Sequence, residues 1–77
     1  MVQAYILIQT GVGQAADVAT TIRDLPGVAA VDAVTGPYDV IVLTEAADVD
    51  ELGKLVVSRV QGVPGITRTL TCSVVHL

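Results

Sequence analysis

The sequence predicts an α+β domain made of two strand–helix–strand units, in the order β-α-β-β-α-β. Two observations carry this. Runs rich in valine and isoleucine alternate with helical apolar stripes. "LPGV" from Leu25 returns as "VPGI" from Val63, with Pro26 and Pro64 38 residues apart, almost half of the 77-residue chain.

The first unit opens with "VQAYILIQT", residues 2–10, a strand by its β-branched and apolar content. After "GVG", the spacing predicts a helix from about Gln14 to Leu25. Val18, Ile22 and Leu25 recur at i, i+4, i+7 with Ala15 and Ala19 beside them, until Pro26 and Gly27 stop it. A second strand follows from about Val28 to Thr35. The second unit starts with "DVIVLTEA" from Asp39. Its helix opens at Asp48 with Glu51 three residues on, a capping-box pattern. Leu52, Leu55, Val56 and Val60 form the buried stripe, and a last strand runs from about Ile66 to Val75. With right-handed crossovers, both helices cover one face of an antiparallel sheet of strand order 4-1-3-2, the ferredoxin-like architecture. Residues 1–77 make a single domain.

Strand parity then assigns the faces. In the last strand the even positions Ile66, Leu70, Cys72 and Val74 suit the helix-covered side, so Thr67, Thr69, Thr71 and Ser73 should point to the open face. Tyr5 and Leu7 fall on the open face of the first strand, between Gln3 and Gln9. The third strand is apolar on both sides, Ile41 and Leu43 against Val40 and Val42. An open face this apolar predicts packing against a second copy, sheet on sheet.

Composition narrows the function. The chain is 52% hydrophobic with almost no aromatics, and carries eight acids against Arg23, Lys54, Arg59 and Arg68. Four scattered cations make no phosphate-binding footprint, which argues against direct nucleic-acid binding. No apolar run approaches the ~18 residues of a membrane span, and Met1 leads straight into a strand, so a cytoplasmic protein is expected. Cys72 is the only cysteine and reads as a buried, inert thiol. "GVGQAA", residues 11–16, fits a dinucleotide fingerprint with Asp32 about 20 residues on. The chain lacks the parallel strands that such a fold needs, so a tight turn before a helix is the simpler reading and no cofactor is expected. His76, the only histidine, falls at a terminal strand end, where a general base has neither fixed partner nor shielded pocket. Arg68 falls on the helix side by the same parity and reads as a surface ion-pair partner.

The remaining stretch is "TGPYD", residues 35–39, a richer loop than a hairpin needs. Gly36 has access to backbone angles closed to other residues, Pro37 stiffens the turn, and Tyr38 offers a ring and hydroxyl. Asp39 supplies a carboxylate for an ammonium group or for the loop's own N–H groups.

"VTGPYDVIV" resembles the V-T-G-x-Y-D signature of the RAM domain, the effector-binding half of the leucine-responsive regulatory protein/AsnC transcription factors. "LPGVAAVDAVTG" and "VPGITRTLTCSVV" extend the likeness over essentially the whole chain. The resemblance implies a non-enzymatic effector-binding and oligomerisation module. Its homodimers, shaped like an α/β barrel by packing face to face, would assemble further, as far as octamers. A small molecule such as an amino acid would bind where subunits meet, against Gly36, Tyr38 and Asp39 of the loop and Thr69 and Thr71 of the last strand. A helix-turn-helix belongs to the full regulators and is not part of this sequence, so the chain resembles the stand-alone form. DNA binding does not carry over, and full-length regulators of the family become expected partners. The expected strand order puts the threonines about 10 Å from the loop's strand, a gap that one amino acid closes across a subunit boundary more readily than within a chain. Two other classes stay open: a small dimeric α+β barrel enzyme using His76 or Tyr5, and an ACT-like amino-acid sensor whose copies associate side by side.

Overall fold

The computed structural model describes residues 1–77, the side chain of Val57 excepted. Six elements follow the expected order: β1 (Val2–Thr10), α1 (Ala15–Arg23), β2 (Val28–Ala33), β3 (Val40–Ala46), α2 (Val49–Leu55) and β4 (Ile66–Ser73). The second helix continues past α2 as a π-helical turn, Val56–Val60. The sheet is antiparallel in the order β2-β3-β1-β4, which is the expected order read from the other edge. This is a ferredoxin-like βαββαβ fold.

Periodicity accounts for the core. Ala4, Ile6 and Ile8 of β1 and Val40 and Val42 of β3 are completely buried beneath Val18 and Ile22 of α1 and Val60 of the π turn. A fully buried side chain of this kind stabilises the fold by about 1.5–3 kcal/mol. Thr44, the only buried polar side chain among the described residues, is satisfied: its hydroxyl donates to the Ala4 carbonyl at 2.9 Å. Leu52, Leu55 and Val56 are buried as their stripe predicts.

The element ends follow their local chemistry. Gln14 caps α1 without a side-chain bond. Asp48 caps α2, accepting the Glu51 N–H at 2.8 Å, and Glu51 reaches back to the Ala47 N–H at 3.0 Å rather than to that of the capping residue. Asp48→Ala should therefore lower stability by about 1 kcal/mol, read as a shift of the urea midpoint at constant slope. β2 ends two residues before Thr35 and β4 two before Val75, shorter than expected.

The two Pro-Gly turns do the same work in both units. Gly27 and Gly65 take φ of +86° and +94°. The Gly27 carbonyl accepts the Glu45 N–H at 2.8 Å, and the Gly65 carbonyl accepts the Gly11 N–H at 2.9 Å, so each turn is tied to a strand end of the other unit.

The repeat also includes a feature that parity arguments overlook. Ala29 is an extra residue in β2, between the pairs Val28↔Thr44 and Ala30↔Leu43. Thr67 is an extra residue in β4, between Ile66↔Thr10 and Arg68↔Gln9. Positions 29 and 67 are again 38 apart. A bulge reverses the facing of every residue beyond it. In β4 the expected faces are consequently exchanged after Ile66. Thr69 and Thr71 pair with Ile8 and Ile6 and share their helix-covered side, while Arg68, Leu70 and Cys72 pair with Gln9, Leu7 and Tyr5 on the open face. Cys72 is exposed rather than buried for this reason.

The open face keeps its apolar character. Its middle is formed by Tyr5 and Leu7, by Ile41 and Leu43 opposite them, and by Leu70. Tyr5, on an inner strand, and Leu70, beside it on the edge strand β4, each remain 45% exposed in a single chain and continue one apolar patch. Gln3 and Glu45 flank this patch, joined by a hydrogen bond of 3.0 Å. Among the described residues, no helix is long and apolar enough to cross a membrane.

Candidate functional site

The loop from Thr35 to Asp39 is held from two sides. At its root, Val34 donates its N–H to the Asp39 carbonyl at 2.9 Å, and Asp39 donates its own to Ile8 at 2.8 Å. Across the sheet, the Asp39 carboxylate accepts the Thr10 N–H at 2.8 Å and the Thr10 hydroxyl at 3.3 Å. Gln9 adds a third tie, its Nε2 donating to the Pro37 carbonyl at 2.9 Å. The acid thus serves neither the loop's own N–H groups nor a vacant position. It fastens the loop to the end of β1, with one oxygen left over.

Charge-assisted hydrogen bonds of this type are worth about 1.5–3 kcal/mol. Asp39→Ala should cost about 1.5–2 kcal/mol and speed hydrogen exchange at the Thr10 amide. Asp39→Asn should fall between, because its amide oxygen still accepts without the charge. Equal urea midpoints for all three chains would show that the loop is held by other means.

What the fastening leaves presented is Gly36 and Tyr38. Gly36 sits at φ +154°, with nothing within 4 Å of where a Cβ would be. Tyr38 is half-buried. Ile8 lies between Val40 of β3 and Thr69 of β4 in the sheet, so Thr69 stands two strands from the loop's root, about 10 Å away. Thr69 is half-buried and Thr71 exposed, and the Thr69 hydroxyl lies 3.5 Å from Gln61 Nε2. A single chain therefore puts the loop and the threonines at the same end of the sheet without bringing them into contact.

Other candidates separate further. The "GVGQAA" segment is a turn, closed by Gln14 N–H to the Gly11 carbonyl at 3.0 Å with Gly13 at φ +75°, and α1 begins only at Ala15. Asp32 lies inside β2, exposed and opposite Ile41. His76 is exposed beyond the end of β4, and Arg68 sits on the open face instead of the helix side. Among the described residues, no three His, Cys, Asp or Glu are grouped to hold a metal. Two concavities lie at the far end of the sheet, around Gly27, Glu45 and Ala46, where sequence reading placed no site residue.

The sequence of residues 3–76 matches the family model described as the Lrp/AsnC ligand binding domain. The chain belongs to that family. An HTH-type transcriptional regulator of Pyrococcus furiosus is 34% identical to it over 55 residues, which cover 71% of this chain and 37% of the regulator. The aligned stretch thus spans well under half of that relative. A crystal structure from Thermus thermophilus superposes with a TM-score of 0.93 at 34% identity, covering 100% of this chain and 96% of the other. A transcriptional regulator of Neisseria meningitidis, solved as its complex with L-Met, has a TM-score of 0.85 at 21% identity over 97% of this chain and 50% of its own. At that identity the likeness establishes the Lrp/AsnC domain fold alone.

Proposed function

We propose that this Lrp/AsnC ligand-binding domain is an effector-responsive assembly module. Two copies pack open face to open face, and further contacts between the pairs bring the loop of one subunit beside the threonines of another. Gly36, Tyr38 and Asp39 then meet Thr69 and Thr71 around a small molecule. Asp39 contributes by fixing the loop, with its remaining carboxylate oxygen available to a ligand. The threonine hydroxyls complete the hydrogen bonds that a buried polar ligand requires.

The observation that carries this reading is the loop itself. It is fastened at Asp39 and Gln9, open at Gly36, and about 10 Å short of the threonines within its own chain. A ligand held between subunits favours the assembled state, which makes assembly depend on its concentration. An amino acid is the first class to test, because the Neisseria meningitidis regulator takes L-Met. The output is regulation through mixed assemblies with full-length regulators of the family, rather than catalysis.

Calorimetric titration with the twenty amino acids, run beside light scattering, tests this directly. The expected result is one or a few binders that also shift the assembled mass. A chain that stays monomeric at millimolar concentration would have no seam to hold a ligand, and the reading would fail.

A further inference from the structure

Charge on the sheet is confined to its margins. The four strands carry Asp32 on the outer strand β2, Arg68 on the outer strand β4, and Glu45 near the end of β3. Glu45 is engaged with Gln3 of its own chain. Asp32 pairs with Ile41 and Arg68 with Gln9, so both stand on the open face, and both are exposed. Three strand intervals, about 14 Å, separate the two rims, too far for the acid and the cation of one chain to meet.

The register fixes where each lies. Asp32, Ile41, Leu7 and Leu70 form one row across the sheet, and Leu43 and Tyr5 fill the middle of the next. Arg68 is two residues along β4 from Leu70, about 7 Å beyond the first row on the side away from Tyr5.

Two copies that meet face to face with their strands roughly aligned are related by a two-fold axis between the sheets, running either along the strands or across them. Both choices bury the same apolar centre. Along the strands, Leu7 comes over the partner's Ile41 and Tyr5 over the partner's Leu43. Across them, Leu7 comes over the partner's Tyr5. Hydrophobic burial therefore does not choose, but charge does. With the axis across the strands, each strand lies over its own copy turned end for end. Asp32 then falls over the partner's Ala30, and Arg68 falls past Cys72, over the partner's Val74 beside Gln3. With the axis along the strands, β4 lies over the partner's β2. Arg68 then stands about 7 Å along the strand from the partner's Asp32, a gap that an arginine side chain spans. Symmetry makes this contact twice, once at each rim.

We propose that the contact between Arg68 and the partner's Asp32 sets the two-fold axis along the strands and selects what this face accepts: a second copy, or a relative with an acid and a cation at the same two positions. The proposal rests on the face-to-face packing argued above and names the partner of that packing. Rim charges add little affinity, but they fix register, and like charges forced together penalise a mismatched partner.

Reversing the charges tests it. Arg68→Glu and Asp32→Arg should each weaken self-association at least about tenfold, since each brings like charges together at both rims. Mixed in equal amounts, the two variants should recover native affinity, because every rim then joins an acid to a cation. A chain carrying both changes should pair with itself again. Lys54→Glu, on a helix, is the control and should change nothing. Sedimentation gives the affinities, and native mass spectrometry with one component isotope-labelled identifies the mixed pair. Native affinity in both single variants, or a mixture no tighter than its components, would overturn the proposal. Leu7→Lys, in the middle of the face, separates the failures. If it dissolves the pair while the charge reversals do not, the copies meet face to face about another axis. If none of these changes weakens the pair, the face-to-face packing falls as well.

Discussion

Gly27→Val is expected to cost the domain about 3–5 kcal/mol, a large share of what a chain of this size has. The backbone there sits at φ +86°, where an L side chain loses about 1–2 kcal/mol before any contact is counted, and a β-branched one more. The new Cβ would then press on Leu55 and on the Glu45 carbonyl, and overpacking of this kind adds about 1–3 kcal/mol. Leu55 is buried, and the Glu45 amide is bonded to Gly27, so neither wall can withdraw freely. Total stability for 77 residues is about 4–12 kcal/mol. Gly13→Val is the internal control. Its φ is +75°, but nothing lies within 4 Å, so only the conformational part should be lost. Urea unfolding of the pair separates the two contributions. Equal losses would mean that the contact with Leu55 is immaterial.

The second large effect concerns association. Leu7 stands in the middle of the open face, paired with Ile41 on one side and Leu70 on the other. In a symmetric face-to-face pair it is buried twice, and burying one leucine is worth about 1.5–3 kcal/mol. Leu7→Lys should thus raise the dissociation constant of the proposed face-to-face pair by at least about 100-fold, before the cost of burying two ammonium groups. The folded protomer should survive, because the side chain leaves an already exposed face and the core lies on the other side. Sedimentation and circular dichroism together check both halves. An unchanged mass for the variant would show that copies meet elsewhere.

Much of this was legible beforehand, for identifiable reasons. Element order and sheet order follow from local periodicity and a duplicated stop signal, and both helical stripes are buried as their spacing requires. The facing of β4 was not, because one unmatched residue at Thr67 inverts everything beyond it. A trace of this existed in the partner repeat. Val28 and Val31 both lean on the core although they are three apart, a spacing that a regular strand cannot bury on one face. Transferring that irregularity by 38 positions would have put Thr69 on the helix side and Cys72 on the open one. Asp39's attachment to Thr10 was hidden for a different reason: it joins residues 29 apart, and a loop acid looks the same whichever N–H it reaches. The π turn left no mark at all in the apolar spacing, since Leu52, Leu55, Val56 and Val60 satisfy an ordinary helix equally well.

The paired bulges have one more consequence. A small, valine-rich chain with two unshielded rims is a template for strand addition, the route by which sheets grow into filaments. Ala29 and Thr67 each break the regular ladder one residue after the first residue of an outer strand, and twist the rim there. Growth through the edges is thereby discouraged at both ends of the sheet, while growth through the flat side stays open. Excision of Thr67 would remove that protection while leaving Arg68, Leu70 and Cys72 paired with Gln9, Leu7 and Tyr5 as before, so the deletion should seed fibres through the β4 rim with the open face unaltered.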